Sequence, residues 1–427
     1  MKVAIAIDSF KGSLSSIAAG KAAAEGVRRV FPDAECLVRP LADGGEGTVD
    51  ALVAGLGGEL RTVTVTGPAG RSTVAKYGLL ADGVAVMEMA EAAGITLVSG
   101  AERNPLHTTT YGVGEMILDA ARQGAKKFVI GIGGSATNDG GAGMLQALGF
   151  RLLDADGNDI PRGGAGLAKL AEIDCGKVDA ALDGVSFKIA CDVKNPLCGP
   201  DGASAVFGPQ KGATPEMVAA LDAALANFDR VSRVDRVDRV FRVDRVDRVF
   251  RGDRVDRVGR VSRVGRGDRV DRVDRGDGGD GGISEYGLYP GAGAAGGLGF
   301  AFKAFLGAEL VPGVELILGE TGLETFVRDA DVVITGEGRL DGQTVMGKAP
   351  IGVARLAKKY GKRVLAFSGI LGDGVEAVNE AGIDAYFPIL RKLVTLEEAL
   401  DVGNAAANLA ATVEQAFRIL KSIGQRT

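Results

Sequence analysis

Residues 331–338, DVVITGEG, run from a β-branched apolar core into a glycine-flanked acid, and an apolar helical pattern follows near 344–360. The same beat repeats twice more: RVLAFSG (363–369) precedes a helical pattern near 374–381, and AYFPIL (385–390) precedes a long final one. Short β-rich runs alternating with helices predict an open parallel sheet, which takes its ligands beyond the carboxyl ends of its strands. The N-terminus matches this pattern. VAIAI (3–7) is followed by helical spacing over about 14–30 that stops before Pro32, and ECLVRP (35–40) runs into LADGGEGT (41–48). The middle of the chain differs. RTVTVTG (61–67), TVAKYGLL (73–80) and GVAVMEMA (83–90) follow one another without a long helix, which predicts antiparallel neighbours. KFVIGI (127–132) and FKIACD (187–192) then read as strands that end in polar, glycine-rich loops.

A chain of 427 residues, 46% hydrophobic and 25% charged, suits two domains better than one core. Its 66 glycines are about twice the usual ~7% of residues. Glycine permits positive φ and close backbone approach, so many glycine-rich loops suggest anion cradles. The four cysteines (Cys36, Cys175, Cys191, Cys198) show no CxxC spacing, so neither a zinc site nor a disulfide framework is expected. The apolar run after Lys2 is too short for a signal peptide, and no run approaches the length of a membrane span, so a cytoplasmic protein is expected.

One stretch stands apart. From Arg233 to Arg275 an Arg falls at every third position, as in RVDRVDRVF, before the pattern dissolves into GDGGDGG. Period three matches neither helix nor strand. Between Ser232 and Gly282 there are 15 Arg and 11 Asp, a net +4 on a chain of −5 overall. Nucleic-acid arms carry few acids, because each Asp repels the phosphates that Arg attracts. Residues 231–282 are therefore expected to be a solvated, disordered low-complexity insert. A polyanion-binding protein acting through this repeat is the competing class of function.

The candidate chemistry lies in the strand-end loops. DSFKGSLS (8–15) offers Ser9 and Lys11 at a helix start, where an anion is stabilised. LADGGEGT places Asp43 and Glu46 around Gly44 and Gly45, suited to Mg²⁺ or substrate hydroxyls. GIGGSATNDGGAG (131–143) has the composition of an anion nest, with Gly133, Gly134 and Ser135 followed by Asn138 and Asp139. CDVKNPLCG (191–199) supplies Asp192 and Asn195, and FGPQKGA (207–213) supplies Lys211. GEGRLDGQTVMGKAP (336–350) carries Arg339, Asp341 and Lys348. This last loop nearly matches GxxxxGK[ST], but Ala349 replaces the metal-binding hydroxyl, so it is not read as a P-loop. No GxGxxG dinucleotide fingerprint follows the first strand either. The single histidine, His107, precedes a helix expected to be capped by Thr108 or Thr109, so acid–base chemistry resting on histidine is not expected. Carboxylates and lysines remain, the toolkit of phosphoryl transfer.

Taken in order, DSFKGSLS, PLADGGEGT, IGIGGSATNDGGAG, CDVKNPLCG with GASAVFGPQKGA, PGAGAAGGLG and TGEGRLDGQTVMGKAPIGVA resemble the bacterial glycerate kinase family, in the class that phosphorylates D-glycerate without a P-loop. The resemblance covers the chain apart from 231–282. It implies ATP, Mg²⁺ and 2-phosphoglycerate as product; a kinase of another small hydroxy acid is the competing enzyme. It also implies two α/β domains, one inserted in the other, with the active site in the cleft. Residues 1–60 plus 291–427 would form a Rossmann-like domain with a largely parallel sheet, and 61–290 the inserted domain. Lys11 is expected to stabilise anionic oxygens, and Asp43 and Asp192 to hold Mg²⁺ or the attacking hydroxyl. Ser9, Gly44, Gly45, Glu46, the 133–139 loop, Asn195, Lys211, Gly293 of PGAGAAGG, Arg339, Asp341 and Lys348 would bind substrate and phosphate. The expected partners are small molecules, with no nucleic acid or membrane, and the sequence leaves a homodimer open.

Overall fold

The computed structural model describes residues 1–42, 44–45, 47–234 and 283–424. Strand β1 (Lys2–Ile7) is buried from Val3 onward, because helices cover both faces of its sheet. Alternation splits its side chains. Val3, Ile5 and Ile7 join a core with helices Ser16–Val30 and Val402–Gly424, while Ala4 and Ala6 face a second core with helix Ala349–Lys359. Small residues bring the first pair of helices close: a Cβ at Gly26 would lie 2.3 Å from the Ala410 carbonyl oxygen. Ser15 caps the Ser16–Val30 helix, its side chain accepting from the Ala18 amide.

β2 (Glu35–Val38), β11 (Val332–Leu340), β12 (Arg363–Leu371) and β13 (Ala385–Pro388) complete this five-stranded sheet, in the order β13-β12-β11-β1-β2 with every pair parallel. The remaining strands are β3 (Gly58–Thr66), β4 (Ser72–Leu80), β5 (Val84–Glu88), β6 (Lys127–Gly131), β7 (Arg151–Leu153), β8 (Glu172–Asp174), β9 (Ser186–Ala190) and β10 (Glu309–Val311). A six-stranded sheet runs β10-β9-β6-β5-β4-β3, parallel from β10 to β5 and antiparallel through β4 and β3, as the runs without helices between them predicted. β7 and β8 form a separate antiparallel pair that the sequence reading did not anticipate.

Two expected boundaries move. Residues 58–60 and 294–311 lie in the six-stranded sheet or on its face, through β3, helix Ala294–Leu306 and β10. Helix Thr48–Leu56 also covers that sheet, with Val49 and Leu52 packed against Val86 and Val129. By packing, the inserted unit takes in residues from near 47 rather than 61 and extends through β10 rather than stopping at 290. The next helix, Gly313–Glu320, faces both sheets, with Leu316 and Ile317 in the core of the six-stranded sheet and Val314 in that of the five-stranded one. The helices decide this, because each follows the sheet or sheets that its apolar residues cover.

The repeat from 235 to 282 lies outside the described residues, and so does its expected disorder. Its first residues do not belong to it. Helix Pro215–Val234 runs on to 234, and Val231 is only 2% exposed within the core.

Candidate active site

β6 and β9 are central strands of the six-stranded sheet, and the loops at their carboxyl ends frame a cavity of about 600 Å³. After β6 come Gly133, Gly134 and Ser135, and after β9 comes Asp192. Gly44 and Gly45 reach in from the loop after β2, and Arg103, Gln210 and Lys211 add polar side chains to the lining. The crossing loop fits because it has no side chains there. A Cβ on Gly44 would sit 2.8 Å from the Ala190 Cβ, and one on Gly131 would meet the Gly44 carbonyl oxygen at 2.2 Å. The candidates Gly44, Gly45, Gly133, Gly134, Ser135, Asp192 and Lys211 thus share one cavity. Asp43 and Glu46 lie outside the described residues.

The 133–135 loop is an open row of donors. Gly133 and Gly134 are exposed, Gly134 has φ +71°, and the amides of Gly133, Gly134 and Ser135 donate to no other described group. The loop is anchored by its other atoms: Ile95 donates to the Gly134 carbonyl and Ala136 donates to that of Ala93. Anchored amides facing a cavity form a nest for an anion.

Asn138 and Asp139, expected on the ligand side of this nest, instead brace it from beneath. Both are fully buried. Asp139 accepts from the amide and hydroxyl of Thr110 at 2.8 and 2.9 Å, and from the amides of Gly141 and Gly143. Burial pushes its carboxyl upward, opposed by these donors. Asn138 donates to the Ser204 hydroxyl. Lys211 is 1% exposed, and its ammonium donates to the Thr137 carbonyl at 2.6 Å. Burial pushes this lysine down to about 7, with Asp139 pulling it partly back.

Asp192 is exposed to the cavity, and its Oδ1 accepts from the Gly313 amide at the start of helix Gly313–Glu320. Asn195 and Gly293 pair through the backbone, Gly293 N–H to Asn195 O at 2.9 Å, while the Asn195 side chain donates to the Asp201 carbonyl. They shape the wall and do not line the cavity. Ser9, Lys11, Arg339, Asp341 and Lys348 also lie off this lining, at the carboxyl end of the five-stranded sheet. The loop after β1 and the end of β11 meet there, with a Cβ on Gly338 coming into ordinary contact with the Lys11 amide nitrogen at 3.6 Å. The Ser9 amide donates to Asp8, Arg339 pairs with Asp341, and the Lys348 ammonium sits 3.8 Å from Glu337 and 3.9 Å from Asp341. The amides of Gln343, Thr344, Met346, Gly347 and Lys348 are used within the local turns, and that of Gly342 donates to the Asp373 carbonyl. A P-loop needs such amides free for phosphate, so the geometry agrees with rejecting that motif.

Three features escaped the sequence reading. Arg103 lines the cavity from an irregular loop with no motif around it. Glu88, at the end of β5, is buried and accepts from the Val49 amide at 3.0 Å, tying the crossing loop to the inserted sheet. Burial raises its carboxyl, opposed by the Val49 and Gly47 amides. Ala295 has φ +52°, the only positive φ off glycine among the described residues, and it lines the cavity beside Gly296 and Gly297. The cap expected at Thr108 or Thr109 falls at Thr110, where Asp139 holds the chain. His107 is exposed and does not line the cavity.

Among the described residues no group of three or more His, Cys, Asp or Glu is placed to hold a metal. No helix there is long and apolar enough to cross a membrane.

Residues 3–421 match the glycerate kinase family. A glycerate kinase of Halalkalibacterium halodurans is 45% identical over 96% of this chain and 96% of its own. A glycerate 2-kinase of Escherichia coli is 43% identical over 98% of this chain and 99% of its own. A crystal structure assigned as glycerate kinase 2 from Salmonella typhimurium LT2 superposes with a TM-score of 0.81 at 44% identity, covering 100% of this chain and 99% of that one. With such agreement along the whole length, the chain belongs to the glycerate kinase family and is a phosphotransferase.

Proposed function

We propose that this enzyme transfers the γ-phosphoryl group of ATP to the 2-hydroxyl of D-glycerate, giving ADP and 2-phospho-D-glycerate. The observation that carries the reading is the shared cavity, lined by the unpartnered amides of Gly133, Gly134 and Ser135 and by Asp192. One bond from phosphorus to the bridging oxygen of ATP breaks, one bond to the glycerate oxygen forms, and the hydroxyl proton is released.

Phosphoryl transfer needs positioning and charge stabilisation more than covalent chemistry from the protein. The amide nest supplies fixed dipoles toward oxygens that gain charge. Asp192, whose Oδ1 accepts from the Gly313 amide, is our candidate to accept a hydrogen bond from the attacking hydroxyl. Lys11 is exposed and pairs with no carboxylate among the described residues, so its ammonium can meet phosphate oxygens at the edge of the five-stranded sheet. Mg²⁺ suits this donor set, because it usually takes one or two carboxylates together with phosphate oxygens. Asp192 would hold it, with Asp43 as the second carboxylate that the sequence suggests. When bound it neutralises phosphate charge.

ADP release measured with ATP, Mg²⁺ and a panel of small hydroxy acids tests the reading. D-Glycerate should be the preferred acceptor by at least ~10-fold in kcat/KM, since a site that hydrogen-bonds both hydroxyls rejects analogues lacking one. Preference for a different hydroxy acid would move the enzyme to that substrate.

A further inference from the structure

We infer that Arg103 is the residue that selects for the substrate's carboxylate, so that the enzyme takes a hydroxy acid and rejects the neutral polyol or amide of the same shape. This rests on the proposed reaction and adds the group that sets its substrate class. Two cations line the described cavity, Arg103 and Lys211. Lys211 is committed elsewhere, buried with its ammonium on the Thr137 carbonyl. Arg103 is exposed, and its Nε donates to the Val98 carbonyl at 3.3 Å. No carboxylate among the described residues pairs with it. One anchoring bond leaves the terminal nitrogens of the guanidinium for a ligand, in the planar fork that matches a carboxylate.

The backbone beneath Arg103 is fixed. Gly212 has φ +92°, and a Cβ there would lie 2.2 Å from the Arg103 carbonyl oxygen. The 209–212 turn therefore packs directly on this residue, and the next residue of the chain, Asn104, holds its own loop by accepting the Leu106 amide. Charge balance also calls for a cation here. Asp192 projects into the same cavity, and an anionic substrate beside it needs an opposing charge. The amide nest can receive either anionic end of the reacting pair, and the charged fork adds discrimination between a carboxylate and a neutral carboxamide.

The test compares wild type with Arg103→Met and Arg103→Lys, using D-glycerate and its carboxamide as acceptors at saturating ATP, then varying ATP. Because Arg103 is exposed, the fold should survive; unchanged melting temperatures check this. Arg103→Met should lose ~10²-fold or more in kcat/KM for D-glycerate, as expected when a charge-assisted pair is removed. Its KM for ATP should stay within about twofold, its activity with the carboxamide should change little, and added guanidinium ion should restore part of the glycerate activity. Arg103→Lys should fall between the two. Equal loss on both acceptors, a rise in the KM for ATP alone, or an unchanged KM for D-glycerate would overturn the assignment. Wild type that phosphorylates no hydroxy acid would instead overturn the reaction itself.

Discussion

Asp229 and Ser284 are 55 residues apart in sequence and joined by two hydrogen bonds, from the Ser284 amide to Oδ2 at 2.8 Å and from its hydroxyl to Oδ1. Asp229 is 1% exposed and also pairs with Arg233. One buried carboxylate thus clamps together the two places where the chain departs into the Arg/Val/Asp repeat and returns from it. The clamp lies on the helix Pro215–Val234 and away from the cavity lining.

Replacing residues 235–282 with a short Gly/Ser linker should therefore leave the Michaelis constants within about threefold. Stability should stay equal or rise by up to ~2 kcal/mol, since each doubling of loop length costs only ~0.6 kcal/mol. Steady-state kinetics and thermal melts check this, and an inactive or unfolded deletion would show that the repeat has become structural. Asp229→Ala should cost ~1–3 kcal/mol, by stranding the Ser284 donors, while leaving the KM values unchanged.

Glu88 tests how the 41–48 loop is anchored at its helix end to the six-stranded sheet. Glu88→Ala removes the acceptor of the Val49 amide and should loosen the 41–48 loop over the cavity, lowering kcat/KM by ~10-fold or more. Glu88→Gln keeps one acceptor oxygen and should recover most of that loss. Equal activity in all three proteins would show that the loop holds its position without this carboxylate.

Lys211 predicts a pH signature. Its folded pKa, about 7, lies below its unfolded value, so between pH 7 and about 10 the unfolded chain binds the extra proton. Stability of the wild type should therefore rise with pH across that window relative to Lys211→Met, and the burial penalty should be felt in full below pH 7. Denaturant melts of both proteins from pH 6 to 10 measure it. A constant difference would mean that the lysine keeps its proton in the fold.

The roles of the charged side chains separate cleanly. Asp192→Asn and Lys11→Ala should each cut turnover by ~10²-fold, because fixed charges near a phosphoryl group lower the barrier by several kcal/mol. His107→Ala should stay within about threefold, its side chain being exposed and off the cavity. A dead histidine variant beside two healthy ones would contradict the mechanism.

The strand–helix beat and the antiparallel β3–β5 segment were legible in sequence because each rests on local hydrophobic period. The glycine-rich loops were legible as chemistry because a nest requires residues without side chains. What was hidden depends on tertiary placement. Nothing in NDGGAG says that Asp139 turns inward to Thr110 while Ser135 faces the cavity. Nothing around Arg103 marks it, because the turn that packs on its backbone carries Gly212, more than a hundred positions away. The domain limits slipped for the same reason: helix Thr48–Leu56 shows an apolar face but not the sheet it will cover.

Phosphorus NMR of the product formed from D-glycerate and ATP is the most direct measurement of the proposed reaction. A phosphate ester on the 2-hydroxyl couples to a single methine proton and gives a doublet, whereas one on the 3-hydroxyl couples to two methylene protons and gives a triplet. A doublet from 2-phospho-D-glycerate, appearing in step with ADP, is the predicted result. A triplet, or no new phosphate ester on glycerate while ATP is consumed with another acceptor, would contradict it.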